Sequence, residues 1–184
     1  MAAKAKKAAK PKKKAGPSAD NAAFIKLAGP AAQASEAETG VPASVTIAQA
    51  ILESGWGKKH MGDANNYFGI KAQTKAGKIV FGDIATGFVD KPTKEFDKNT
   101  GKTITVIAHF RSYKDITGSF TDHGAFLKNN ARYAKAMAAY AKNKDANEFA
   151  EGLQKAGYAT DPKYASQLIS IMQKNELYKF NSGS

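Results

Sequence analysis

The sequence predicts a domain of the α+β class, mainly α, with a small β-hairpin lobe inserted between helices. Apolar residues recur at three- and four-residue intervals before residue 60 and after residue 118, which is the helical period. Between these regions, strand-like segments within 78–113 surround Lys98-Asn99-Thr100-Gly101, a turn-forming tetrad that marks a hairpin. The 184 residues provide one domain with a real core over 20–180, its β-lobe near 76–113, behind a low-complexity stretch at 1–19.

Residues 1–19, MAAKAKKAAKPKKKAGPSA, hold too little apolar surface to build a core and read as a disordered, solvated tail. Its first fourteen residues contain seven lysines and no acid, more than half of the formal net charge of +12. Such a tail suits contact with nucleic acid, an anionic polymer or a membrane surface. Phe24 to Thr39 then reads as a helix with Phe24, Leu27, Ala28, Ala31 and Ala34 on one side. Pro30 is a point of kink or restart, and Gly40 closes the segment.

Pro42 suits the first position of the next helix, where its missing N–H costs nothing. Val45, Ala48 and Leu52, beside Ile47 and Ile51, make that helix apolar, and the glycines flanking Trp56 stop it. Glu53 sits at its C-terminal end. The negative end of the helix dipole and apolar neighbours both disfavour a charged carboxylate there and raise its pKa, as a general acid requires. A solvated glutamate at a helix end is the other reading this stretch leaves open.

Asn65 to Lys71 runs from polar to aromatic to glycine. Phe68 reads as core packing, and Tyr67 as either core or a platform for a sugar ring. In the hairpin region, Lys78–Phe81 is a short strand, and Thr93–Asp97 pairs with Thr103–Phe110. Ile104, Val106, Ala108 and Phe110 predict one packed apolar face, with Glu95 on the opposite, solvated side. Helices resume at Ser119. Phe120, Phe126 and Leu127 mark one, and Arg132–Tyr140 marks another through Tyr133, Met137 and Tyr140. Asp145 caps a third that carries Phe149 and Leu153 and stops at Gly157. Asp161 and Pro162 begin the last, which carries Tyr164, Leu168, Ile169, Ile171 and Met172 and ends near Leu177. Phe180 is expected to fold back, and the final residues to fray.

The chain has no cysteine, so disulfides and thiolate metal sites are excluded. His60, His109 and His123 match no ligand spacing, and no nucleophile-elbow motif is present. Neither metal nor cofactor is expected. No apolar run is long enough to span a bilayer, and the basic N-terminus lacks the apolar stretch of a secretory signal.

The run Ala43-Ser44-Val45-Thr46-Ile47-Ala48-Gln49-Ala50-Ile51-Leu52-Glu53-Ser54-Gly55-Trp56-Gly57 resembles the signature of bacterial cell-wall glucosaminidases, glycoside hydrolase family 73. The resemblance continues through Asn66–Lys71, Phe110–Tyr113, Phe126–Tyr133 and Ala156–Ala165, covering roughly residues 22–178 in order. It implies a lysozyme-like helical domain with a β-lobe, cleaving β-1,4 bonds in peptidoglycan with no metal or cofactor. It implies Glu53 as general acid, Glu95 as the second carboxylate with Asp83, Asp90 and Asp97 as alternatives, and Tyr158 as a further catalytic residue. The same blocks make Trp56, Asn66, Tyr67, Phe68 and Tyr113 the expected substrate-binding residues. Endo-β-N-acetylglucosaminidase activity is the expectation. The alternatives are muramidase specificity on the same glycan, or a non-catalytic wall-binding or structural protein. The partner is the peptidoglycan glycan strand, and the protein is expected to be a monomer. It would act on the cell wall, in the periplasm or outside the cell. Delivery would be by holin, by a phage particle or by a dedicated export apparatus.

Overall fold

The computed structural model describes residues 18–183, so the expectations for the lysine tail fall almost wholly outside the described residues. The Ser18 hydroxyl accepts from the Asn21 backbone N–H and starts α1, Ala19–Thr39, just inside the stretch read as tail. This helix runs unbroken through Pro30. Its buried side is Phe24, Ile25, Ala28, Ala31, Ala32 and Ser35, whereas Leu27 and Ala34, expected on that side, are exposed. The face is turned because α3, Ile116–Asn129, lies along it. A Cβ added to Gly124 would fall 2.5 Å from Ser35 Oγ and 2.7 Å from Thr39 Oγ1, so only glycine permits this approach.

Helix α2, Ala43–Ser54, is buried over nine consecutive residues, Ala43 to Ile51. Neighbours on all sides (α1, α5 at Ala146–Lys155, α6 at Tyr164–Lys174 and the final turn) bury this apolar helix, although Leu52 is exposed at its end. Pro42 occupies the capping position, one residue earlier than expected, and has no side chain to cap with. The free N–H groups are satisfied from elsewhere. Glu36 Oε2 accepts from Ala43 N at 3.0 Å, and Asn181 Oδ1 accepts from Ser44 N at 2.8 Å.

The β-lobe holds two antiparallel pairs. Strands β1, Gln73–Lys75, and β2, Lys78–Val80, form a small hairpin. Strands β3, Gly87–Asp97, and β4, Lys102–Ser112, form a long ribbon in which Val89 faces Phe110 and Glu95 faces Ile104. The expected packed apolar face exists only at its root, where Phe110 is buried. Ile104, Ile107 and Phe96 are exposed, the last at 65%. A two-stranded ribbon has no second layer to pack on beyond the root. The root is held by Ala72 N donating to His109 O and Arg111 N to Ile70 O. Asp97 fixes the tip turn by accepting from Asn99 N and Thr100 Oγ1.

Helix α3, Ile116–Asn129, begins earlier than expected because Asp115 caps it through Gly118 N. It is followed by α4, Ala134–Asn143, α5, Ala146–Lys155, and α6, Tyr164–Lys174. Asp145 caps α5 as expected, and Asp161 accepts from Lys163 N ahead of α6. A 3-10 turn, Leu177–Phe180, folds Phe180 back onto Gly29. The C-terminal residues are tied rather than frayed, since Ser182 bonds the buried Glu36 carboxylate and Asn181 caps α2.

Candidate active site

Glu53 is in the last turn of α2, and the chain after it is locked. Gly55 adopts φ 58°, Trp56 N donates to Ile51 O, and Ser54 Oγ accepts from Gly57 N at 2.8 Å. The Glu53 side chain opens into a cleft of about 400 Å³ between the helices and the β-lobe. Phe68 and Lys71 come from the loop before the lobe, Arg111 from the root of β4, and His123 and Phe126 from α3. Tyr133 and Tyr158 come from turns in the C-terminal half. One side of the Glu53 carboxyl is open to solvent, yet the cleft walls remove enough water to raise its pKa above the ordinary 4.5. No described residue donates a hydrogen bond to it or forms an ion pair with it. The anion is therefore poorly supported, which favours the protonated form, as a general acid needs.

Tyr158 stands beside this carboxyl. Gly157 reverses the chain at φ 76°, and Tyr158 N bonds Leu153 O, which turns the ring into the cleft. The ring stacks on Tyr164 at 5.4 Å and leans on Tyr133 at 5.9 Å. Burial, with the neighbouring Tyr164 and Glu53, holds its pKa well above the usual tyrosine value, so it is a neutral phenol. Its oxygen lies 3.2 Å from His123 Nε2. Gln49, one turn before Glu53 on α2, donates to the Tyr164 hydroxyl at 2.8 Å.

Glu95 is outside the cleft lining, on the exposed ribbon. Its carboxylate pairs with Lys71, which does line the cleft and whose ammonium lies over the Phe110 ring. The lysine lowers the Glu95 pKa, the opposite of the shift at Glu53. Among the alternative carboxylates, Asp90 pairs with His109 and Asp97 is consumed in the tip turn. Asp83 is exposed in the turn after β2.

The residues expected to bind substrate divide. Phe68 lines the cleft, stacked on His123 at 4.0 Å. Trp56 instead meets Phe24 edge-on, and Tyr67 is buried among Phe24, His60 and Phe120. Asn66 is a buried clamp, donating to Ile70 O and Arg111 O and accepting from Ile70 N. Tyr113 donates to Asp122 at 2.6 Å, which also receives two bonds from Arg111. These four hold the cleft walls rather than line them. His123, Phe126 and Tyr133 line the cleft without having been singled out for it. Phe126 and Tyr133 look like core in a helical pattern, although Phe126 is 45% exposed. A lone histidine in a helix carries no distinguishing signal. Among the described residues no group of three or more His, Cys, Asp or Glu could hold a metal ion.

A mainly helical domain with a ribbon lobe and an unpaired carboxyl of raised pKa in the cleft between them defines a lysozyme-like fold of the glycosidase class. The chain belongs to the glucosaminidase family: the family described as mannosyl-glycoprotein endo-beta-N-acetylglucosaminidase matches residues 29–177. It is 38% identical over 157 residues to the peptidoglycan hydrolase FlgJ of Vibrio parahaemolyticus, covering 83% of this chain and 47% of the relative. It is 35% identical over 140 residues to the exo-glucosaminidase LytG of Bacillus subtilis, covering 75% and 45%. The catalytic domain of the autolysin Auto from Listeria monocytogenes superposes with a TM-score of 0.74 at 28% identity, covering 91% of this chain and 90% of that one. The chain spans about half the length of the curated relatives it matches.

Proposed function

We propose that this domain hydrolyses the β-1,4 bond between N-acetylglucosamine and N-acetylmuramic acid in peptidoglycan, as an endo-β-N-acetylglucosaminidase. The observation that carries the reading is the Glu53 carboxyl, facing the cleft with a raised pKa and no ion-pair partner. Glu53 gives its proton to the leaving glycosidic oxygen as that C–O bond breaks, and positive charge grows on the sugar ring. Water adds to the anomeric carbon. Glu95, kept ionised by Lys71, is the proposed acceptor of the water proton, and it reaches the site when a bound glycan draws the ribbon over the cleft. Tyr158 orients the reacting sugar beside the acid. Phe126 and Phe68 offer apolar faces against which sugar rings can lie.

The substrate places the activity at the wall, in the periplasm or outside the cell. Among the described residues no helix is long and apolar enough to cross a membrane. Delivery by a holin, a virion or a dedicated export apparatus is part of the proposal, as is a monomeric enzyme. The basic residues of the N-terminal segment are proposed to hold the enzyme against anionic polymer or membrane. Digestion of purified peptidoglycan followed by mass analysis tests the central reading. New reducing ends on N-acetylglucosamine are expected. Ends on N-acetylmuramic acid would make the enzyme a muramidase, and an absence of released fragments would make it a non-catalytic wall-binding protein.

A further inference from the structure

At the cleft, four side chains from four parts of the fold form two hydrogen-bonded pairs joined by stacked rings. Gln49 of α2 donates to the hydroxyl of Tyr164 on α6 at 2.8 Å. The Tyr164 ring stacks on Tyr158, in the turn before α6, at 5.4 Å. The Tyr158 oxygen in turn lies 3.2 Å from Nε2 of His123 on α3. His123 is 1% exposed, and its Nδ1 is fully buried without a partner.

The orphaned nitrogen identifies the tautomer. A buried N–H with no acceptor forfeits a strong hydrogen bond, and such groups are rarer than under-satisfied acceptors. Nδ1 therefore carries the bare lone pair, and Nε2 carries the proton. Burial supports this neutral state by pushing the His123 pKa down to about 3.

From this we propose that His123 is a positioning residue. Its Nε2–H donates to the Tyr158 oxygen and leaves the Tyr158 hydroxyl proton free for an acceptor oxygen on the sugar beside Glu53. With the opposite tautomer, Tyr158 would donate to the bare Nε2 and its proton would be consumed. Tyr158 lines the cleft with Glu53, so its spare proton faces the place where the sugar would lie. This inference rests on the role assigned to Glu53 and Tyr158 above.

The test begins with nitrogen-15 NMR on the full chain labelled at histidine. His123 is expected to hold the Nε2–H tautomer from about pH 5 to pH 8, spanning the usual histidine midpoint, and Tyr158→Phe should shift its Nε2 signal. An Nδ1–H tautomer, protonation near the usual midpoint, or a signal indifferent to Tyr158→Phe overturns the proposal. This readout needs no turnover, so it remains decisive if the domain proves not to cut peptidoglycan. The kinetic arm uses amides of two lengths. His123→Gln places an N–H donor near the Nε2 position and should keep kcat within about threefold. His123→Asn cannot reach, and should lose about tenfold in kcat, the scale of one hydrogen bond, with KM little changed. In a Tyr158→Phe background the difference should vanish. Equal losses in both variants, or losses that persist in that background, would mark a packing role and overturn the proposal.

Discussion

At the scale of single residues, two carboxyls are pushed in opposite directions. Burial raises the Glu53 pKa above 4.5, and Lys71 lowers that of Glu95 below it. The acid must be protonated to work, so activity should fall as pH rises through the Glu53 pKa. The base must be ionised, so activity should fall as pH drops through the lowered Glu95 pKa. A bell with its optimum on the acid side of neutrality is expected, and Glu95→Gln should remove the acid limb. Glu53→Gln should lower kcat about a hundred- to ten-thousandfold with an unchanged circular dichroism spectrum. His123 gives a stability prediction. It is neutral in the fold to about pH 3, whereas the unfolded chain binds its proton near the ordinary 6.5. The unfolded state thus holds more protons between these values, and stability should drop as pH falls through that window. The slope should reach up to about 1.4 kcal/mol per pH unit and be absent in His123→Gln, as read by denaturant midpoints.

At the scale of elements, the helix ends and contacts were legible where a side chain does its work locally. Asp145, Gly40 and the glycines around Trp56 end or begin helices next to themselves, and they read correctly. Contacts between distant parts of the chain were not legible. Glu36 reads as one more acid on a helix, yet its buried carboxylate accepts from Ala43 N, Tyr140 Oη, Ser182 N and Ser182 Oγ. Glu36→Ala should cost about 2–4 kcal/mol in urea unfolding, since those donors lose an acceptor inside the protein. The ribbon misled in the other sense. Its alternation is genuine, but alternation says which residues share a face and not whether anything covers that face. Phe96→Ser should accordingly leave the unfolding midpoint nearly unchanged.

At the scale of the whole molecule, the cleft is assembled from the end of α2, the loop before the lobe, the root of β4, α3 and two turns in the C-terminal half. The motif containing Glu53 was visible in the sequence because its residues are contiguous. Phe126 and Tyr133 were not, because they join Tyr158 in one wall only in the folded cleft, where α3 packs on α1 through Gly124. Gly124→Ala should therefore cost about 1–3 kcal/mol and lower activity with it, measured by unfolding and wall lysis on the same samples. Asn66, Tyr67 and Tyr113 illustrate the converse. They stand in the family-like blocks yet work as clamps and packing, because a cleft of fixed shape needs walls as much as it needs reacting groups.

The most direct measurement is a carbon-13 NMR titration of the Glu53 carboxyl in the full chain, assigned by comparison with Glu53→Gln. A midpoint clearly above 4.5 is expected of a carboxyl desolvated by the cleft walls. A midpoint at or below 4.5 would show an ordinary ionised glutamate at a helix end, and would contradict this expectation.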